Sequence, residues 1–249
     1  MQEYDSPDEA QALKVIQPLD PVRVEEGRIR AVYGKRTKDN RYSWFQCGHL
    51  FIMQQCERRM LAFLERCGAA DLESKNILEV GCGTGYWLRE LVKWGARPEN
   101  LTGIDLLADR VAVARRLCAP GVRIECASAA RLPFSDGTFD LVLQSTVFTS
   151  ILDADLKQQV AAEMLRVVKT NGLILWYDYH VNNPWNRDVR GVRRSEIARL
   201  FPDCRIELQA ATLIPPLARR LAPYSYLGCY LLEKIPLFCT HYLGAIQKR

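Results

Sequence analysis

The sequence predicts an α/β fold built on a doubly wound, mostly parallel sheet, and three observations carry that expectation. From residue 76 onward, strand-like and helix-like runs alternate, as crossover connections between parallel strands require. The run Ile77-Leu78-Glu79-Val80 passes directly into Gly81-Cys82-Gly83-Thr84-Gly85, a glycine turn between a buried strand and a helix. A second apolar run, Leu101-Thr102-Gly103-Ile104, ends on Asp105-Leu106, which places a carboxylate at a strand tip.

Taken in order, residues 1–25 read as a flexible leader, because Pro7, Pro18 and Pro21 discourage regular structure. Residues 26–70 read as a helical cap or lid. Within them Phe45, Leu50, Met53, Leu61 and Leu64 recur at helical spacing, and Gly68 ends the run. Residues 71–249 complete one globular unit with that cap. Strands are expected at 76–81, 101–106, 122–127, 139–145 and 172–179, and helices at 85–95, 108–118, 155–169 and 195–201. Residues 205–210 alternate as a half-exposed strand should. Residues 216–235 form a Leu- and Tyr-rich helix broken near Pro223, and residues 240–247 read as a final strand.

A chain of 249 residues, 48% hydrophobic and 25% charged, suits one domain with a substantial core. No apolar run reaches the roughly 18 residues of a membrane span, and no basic segment followed by an apolar one marks a signal peptide. Nine cysteines without a CxxC pair read as reduced thiols of a cytoplasmic protein. The net charge of +5 is unevenly placed, since residues 187–249 hold 11 Lys and Arg against 5 Asp and Glu. A solvated basic face is the first reading of that excess and an anionic substrate the second.

The glycine turn describes a ligand site. Glycines accept φ > 0 and carry no Cβ, so a ligand can approach the main chain. The helix that follows opens with unpaired amide groups. A carboxylate at the next strand tip can accept both hydroxyls of a ribose. Together they describe a pocket for an adenosine-bearing cofactor. The spacing departs from the dinucleotide pattern, because the third glycine comes one residue early and Tyr86 stands where the last belongs. A nucleotide-dependent oxidoreductase is disfavoured on that ground.

The segment Glu79-Val80-Gly81-Cys82-Gly83-Thr84-Gly85 resembles motif I of the class I S-adenosylmethionine-dependent methyltransferases. Arg131-Leu132-Pro133-Phe134-Ser135-Asp136-Gly137-Thr138-Phe139-Asp140 resembles the L-P-F-x-D-x-x-F-D segment of that family's small-molecule branch (methyltransferase type 11-like). Glu163-Met164-Leu165-Arg166-Val167-Val168-Lys169-Thr170-Asn171-Gly172 resembles its later E-x-x-R-V-L-K-P-G-G segment. The three occur in family order over about residues 75–180. The resemblance implies a Rossmann-like sheet of seven strands, mostly parallel with an antiparallel last strand, and helices on both faces. It implies S-adenosyl-L-methionine as cofactor and methyl transfer as the reaction.

On that resemblance Glu79, Gly81, Cys82, Gly83 and Gly85 belong to the cofactor loop, Asp105 takes the ribose hydroxyls and Leu106 packs on the adenine. Many relatives hold the adenine amino group with an Asp after strand 3. Here Ser128 occupies that place, with Ala127 before it and Ala129 after it, the latter also expected at the cofactor, and Ser128→Asp is expected to tighten cofactor binding. Gln144, at the end of strand 4, is expected to face the cofactor. Tyr33 and Arg36 are expected to reach its methionine carboxylate from the lid. No N/D-P-P-Y follows strand 4 and no Pro-Cys pair is present, so nucleic acid is not the expected partner. His180 is the candidate general base, with Asp178 orienting it or acting itself; the competing reading is a loop held by side-chain bonds around Pro184. No metal is expected, since strand 4 offers no aspartate to pair with Asp178. The acceptor is expected to be a small molecule, anionic or amphipathic ones included. The Tyr224-Ser225-Tyr226 segment with residues 227–232 is expected to pack in the core; an acceptor wall or a lipid-contacting face are the alternatives. A cofactor-binding protein without turnover is the alternative to an enzyme.

Overall fold

The computed structural model describes residues 20–35, 40–184 and 186–248. A seven-stranded sheet runs through its centre. Its strands are β1 (Ile77–Val80), β2 (Leu101–Asp105), β3 (Arg123–Cys126), β4 (Phe139–Ser145), β5 (Val168–Tyr179), β6 (Cys204–Leu213) and β7 (Cys239–Lys248), in the spatial order β3-β2-β1-β4-β5-β7-β6. Neighbours from β3 to β5 pair in parallel, while β7 runs antiparallel to both β5 and β6. This is the doubly wound, Rossmann-like sheet with a reversed last strand.

The central strands are apolar on both faces, as parallel strands covered by helices must be. All four residues of β1 are buried. On one face pack α2 (Cys47–Arg66), α3 (Tyr86–Lys93) and α4 (Ala108–Leu117), through Met60, Phe63, Leu88, Leu91 and Val111. On the other pack α5 (Ala154–Val167) and α6 (Arg194–Leu200), around Met164, Trp176, Ile197 and Phe201. Near the C-terminus, α7 (Pro215–Leu221) and α8 (Tyr226–Glu233) form a smaller cluster with Phe51. The break expected near Pro223 falls between these two helices.

The two later motifs are structural and lock onto each other. Glu163 accepts the Leu132 amide at 2.6 Å. Arg166 donates to the Phe134 carbonyl (2.7 Å), the Leu132 carbonyl (3.0 Å) and the Asp136 carboxylate (2.8 Å). The Leu132-Pro133-Phe134 loop between β3 and β4 is thereby tied to α5, and Arg166 holds the Glu163 carboxyl below the usual range.

The N-terminal reading needs correction. A helix, α1 (Pro21–Gly34), begins inside the segment read as a leader. Pro21 does not break it, because it occupies the first helical position, where its fixed φ suits the helix and no partner for an N–H is needed. Asp20 caps it by accepting the Val22 amide at 3.1 Å. Residues 1–19 lie outside the described residues. Among those described, no helix is long and apolar enough to cross a membrane.

Candidate cofactor site

Register sets the site. Val80 is level with Ile104 of β2 and with Gln144 of β4, so three strands end together and their following residues meet at one edge. That edge is where open α/β sheets bind ligands, and the order reverses there between β1 and β4.

The glycine bend has the conformation its composition requires. Gly81, Gly83 and Gly85 have φ of 71°, 54° and 77°. A Cβ on Gly81 would lie 2.4 Å from Val147 Cγ2, and one on Gly85 would lie 2.4 Å from Cys118 Sγ. Gly81 therefore holds the β4 turn close, while Gly85 lets α4 approach. Asp105 aims back at the bend: Oδ2 accepts the Gly83 amide at 2.8 Å, and Oδ1 accepts the Leu107 amide at 2.9 Å.

A cleft opens above this edge. Tyr33, Gly81, Asp105, Leu106, Ser128 and Ala129 all line it, so six of the predicted cofactor residues come together. Arg36 lies outside the described residues. Four others build the walls instead. Cys82 is buried against Gly103 and Leu88, and burial raises its thiol pKa. Gly83 and Gly85 shape the bend. Glu79 lies beneath it, where it accepts the Leu88 amide at the start of α3, whose N-cap is a glycine without a side chain. Burial, and then the nearby Asp105 charge, push the Glu79 carboxyl well above its ordinary pKa. Its Oε2 is buried without a hydrogen-bond partner among the described residues.

Gln144 does not reach the cleft. Its side chain is fully buried and Oε1 accepts the Val147 amide at 3.2 Å. The next two residues, Ser145 and Thr146, line the cleft in its place. Thr146 takes φ = 58°, a strained backbone for a β-branched residue and one typical of functional edges.

The expected catalytic pair is not assembled. Asp178 is fully buried, and its carboxylate accepts the Thr149 hydroxyl, the Thr149 amide (3.2 Å) and the Tyr179 amide (2.8 Å). Those bonds hold the turn after β4, and none of them comes from His180. Burial pushes the Asp178 carboxyl up to about 6. His180 instead stacks on Tyr242 with ring centroids 4.2 Å apart, and burial lowers its pKa. Neither residue lines the cleft.

Three functional candidates escaped the sequence reading. Glu26 lines the cleft and accepts the Ser128 hydroxyl, so a carboxylate from α1 stands where relatives place one after strand 3. Arg110 of α4 lines the cleft and lies over the Tyr33 ring at 4.5 Å. Ser150 shares a 2.7 Å hydrogen bond with the Tyr33 hydroxyl. α1 is further pinned where Glu25 accepts the Leu152 amide (2.6 Å) and Arg28 donates to the Ser150 carbonyl (2.6 Å). The Arg28 hydrogen bond keeps the Glu25 carboxyl below its usual range. The Asp20-Pro21 cap and the stripe Val22, Ile29, Tyr33 were the available signal for this helix.

This contact reverses the Ser128 expectation. A second carboxylate at 128 would face Glu26 and repel it. Ser128→Asp is therefore expected to weaken binding of S-adenosylhomocysteine, and Glu26→Ala to weaken it by about tenfold, the worth of one charged hydrogen bond. Titration calorimetry on both variants reads this; tighter binding by Ser128→Asp would contradict it.

All three histidines, His49, His180 and His241, are shifted downward by burial, His241 to about 3. Their unfolded pKa lies near 6.5. Below that value the unfolded chain binds protons that the folded chain refuses, so their contribution to stability falls as pH drops through about 6.5. Asp178 acts oppositely, because its raised pKa costs stability as pH rises through about 6. Denaturation of His241→Phe between pH 7 and 5 is expected to lose up to about 1.4 kcal/mol per pH unit of the wild-type slope; an unchanged slope would contradict the burial of a neutral His241.

Known proteins share parts of this arrangement. Residues 77–172 match the family model described as a methyltransferase domain. A fatty-acid O-methyltransferase of Mycolicibacterium smegmatis is 36% identical over 112 residues, 44% of this chain and 39% of that protein. Phthiotriol/phenolphthiotriol dimycocerosates methyltransferase 1 of Mycobacterium ulcerans is 32% identical over 125 residues, 49% of this chain and 45% of that protein. The chain spans less than half the length of these curated relatives. The geranyl diphosphate C-methyltransferase of Streptomyces coelicolor shares the fold, with a TM-score of 0.64 at 14% identity, covering 93% of this chain and 100% of that one. The fold is thus Rossmann-like and shared with a solved methyltransferase. Residues 77–172 resemble a methyltransferase domain, and S-adenosyl-L-methionine is the methyl donor whose fit the cleft can be tested for. The cleft suits S-adenosyl-L-methionine: Gly81 of the bend and Asp105 line it, and beneath the bend Glu79 Oε2 is a buried polar atom with no partner among the described residues.

Proposed function

We propose that this chain transfers the methyl group of S-adenosyl-L-methionine to an apolar or amphipathic small molecule by in-line displacement. The observation that carries this reading is the convergence of the positive-φ glycine bend and Asp105 at one sheet edge, within the matched domain. The cofactor supplies an electrophilic methyl group; the residues described here bind and orient it. Asp105 is assigned to the ribose, Glu26 with Ser128 to the adenine end, Arg110 and Tyr33 to the carboxylate end, and α1 to closing the cleft. The curated relatives above act, by their names, on fatty acids and on phthiotriol lipids, and this supports an acceptor of that character.

The titratable side chains that line the cleft are Glu26, Tyr33, Asp105 and Arg110 among the described residues. Glu26 and Asp105 are already engaged in hydrogen bonds. An acceptor that is ionised before it binds, such as a carboxylate, needs no base to be methylated. Radiolabelled methyl transfer to a panel of long-chain fatty acids, isoprenoid alcohols and phenols tests the reading. Label is expected in the carboxylate class first. The buried state of Asp178 and the stacking of His180 favour a second reading, a cofactor-binding protein without turnover. S-adenosylhomocysteine binding with no label transferred to any acceptor would select it.

A further inference from the structure

The C-terminal segment was expected to pack in the core, and it does so on one side only. On α8, Cys229 is fully buried. Glu233 is buried as well, where it pairs with Arg59 at 3.2 Å and accepts the Thr212 amide at 3.1 Å. These contacts fix the helix's rotation, so its outer face is set by the fold. That face is apolar. Leu227 and Leu231, one helical turn apart, are 68% and 57% exposed, and the flanking Tyr224 and Leu237 are 88% and 82% exposed. The Tyr226 hydroxyl donates to the Cys47 carbonyl at 3.4 Å, which joins α8 to the start of α2. Phe45, 97% exposed, lies two residues before that start.

The exposed charge within the C-terminal segment has one sign. From Pro223 to Leu237 the only charged residue on the surface is Lys234. Lys234 and Arg58 flank the Tyr230 ring at 4.7 and 5.0 Å, and Arg220 is exposed nearby in sequence. Beyond Glu207 the one acidic residue is Glu233, which is buried and paired. An apolar face with the cations Lys234, Arg58 and Arg220 at its edge matches an anionic lipid surface, with apolar side chains entering the acyl boundary and cations meeting phosphate. A second copy fits less well, because a two-fold interface sets each patch on its twin and brings the cations together. Patches of this kind are uncommon on the surfaces of soluble monomers.

We propose that the outer face of α8, with Tyr224, Leu237 and Phe45, seats the protein on an anionic membrane surface. Trp44, beside Phe45, packs on Tyr86 at 5.8 Å, next to the glycine bend, so the seated face leads toward the cofactor edge. The proposal does not depend on methyl transfer, since lipid binding is read without cofactor or acceptor.

Co-sedimentation of the full chain with vesicles tests it. Binding is expected to equimolar phosphatidylcholine and phosphatidylglycerol, to weaken as salt rises, and to be much weaker to phosphatidylcholine alone. Leu227→Ser with Leu231→Ser alters only exposed side chains and is expected to lower binding at least tenfold with unchanged circular dichroism. Lys234→Gln is expected to lower it about fivefold. Absence of binding to the mixed vesicles, or equal binding by the double variant, would overturn the proposal. So would a dimer in solution that the double variant dissociates without any vesicle binding, which would make the face an interface between copies.

Discussion

Asp105→Ala is expected to lower affinity for S-adenosylhomocysteine by about 100-fold or more while leaving the fold intact. The carboxylate has two tasks in the proposed site. It accepts the Gly83 amide at 2.8 Å and the Leu107 amide at 2.9 Å, which fixes the bend against the start of α4. Its remaining lone pairs face the cleft, where the ribose hydroxyls are assigned. Each charge-assisted hydrogen bond is worth about 1.5–3 kcal/mol, and two of them correspond to a hundredfold or more in affinity. Asp105→Asn keeps one carbonyl oxygen and is expected to fall between. Calorimetric titration measures the loss, and the thermal midpoint separates it from unfolding. Affinity within a few-fold of wild type for the Ala variant would remove Asp105 from the cofactor site.

The largest loss of stability is expected from Glu196→Ala. The Lys157 side chain is only 1% exposed, and its ammonium donates to Glu196 Oε1 at 2.7 Å. Burial alone would raise the Glu196 carboxyl, but the Lys157 bond holds it below its ordinary value. Removing the carboxylate strands a buried cation between α5 and α6, an error that costs about 3–5 kcal/mol. For a chain of this size that lowers the melting temperature by about 6–20 °C. Replacing both partners, by Lys157→Met with Glu196→Leu, is expected to restore most of it, because the desolvated charge is then absent. Thermal unfolding of the three proteins decides. A single variant as stable as wild type would mean that water reaches Lys157.

The parts of the fold legible in the sequence are those written in local chemistry. The bend at Gly81, Gly83 and Gly85 was readable because positive φ selects glycine, and Asp105 because a carboxylate ends an apolar strand. Leu106, Ser128 and Ala129 followed from motif positions and Tyr33 from the lid reading, and all four line the cleft. What escaped was long-range or a matter of parity. Glu26 meets Ser128 across 102 residues of chain, and no local pattern records that. Gln144 was favoured over Ser145 and Thr146 because the strand's end was known but not which side chain would turn outward. Asp178 and His180 looked like a pair by spacing, yet Thr149 and the Tyr179 amide had already claimed the carboxylate. Pro21 read as a breaker because its position within a helix depends on where the helix begins. The apolar run of α8 read as core because hydropathy does not say which face is covered.

The most direct test of the central claim is a crystal structure of the chain with S-adenosylhomocysteine. The adenosyl group is predicted to lie over Gly81, with its ribose on Asp105, its adenine beside Glu26 and Ser128, and α1 across it. A ligand bound away from this edge, or Asp105 making no contact with the ribose, would contradict the account.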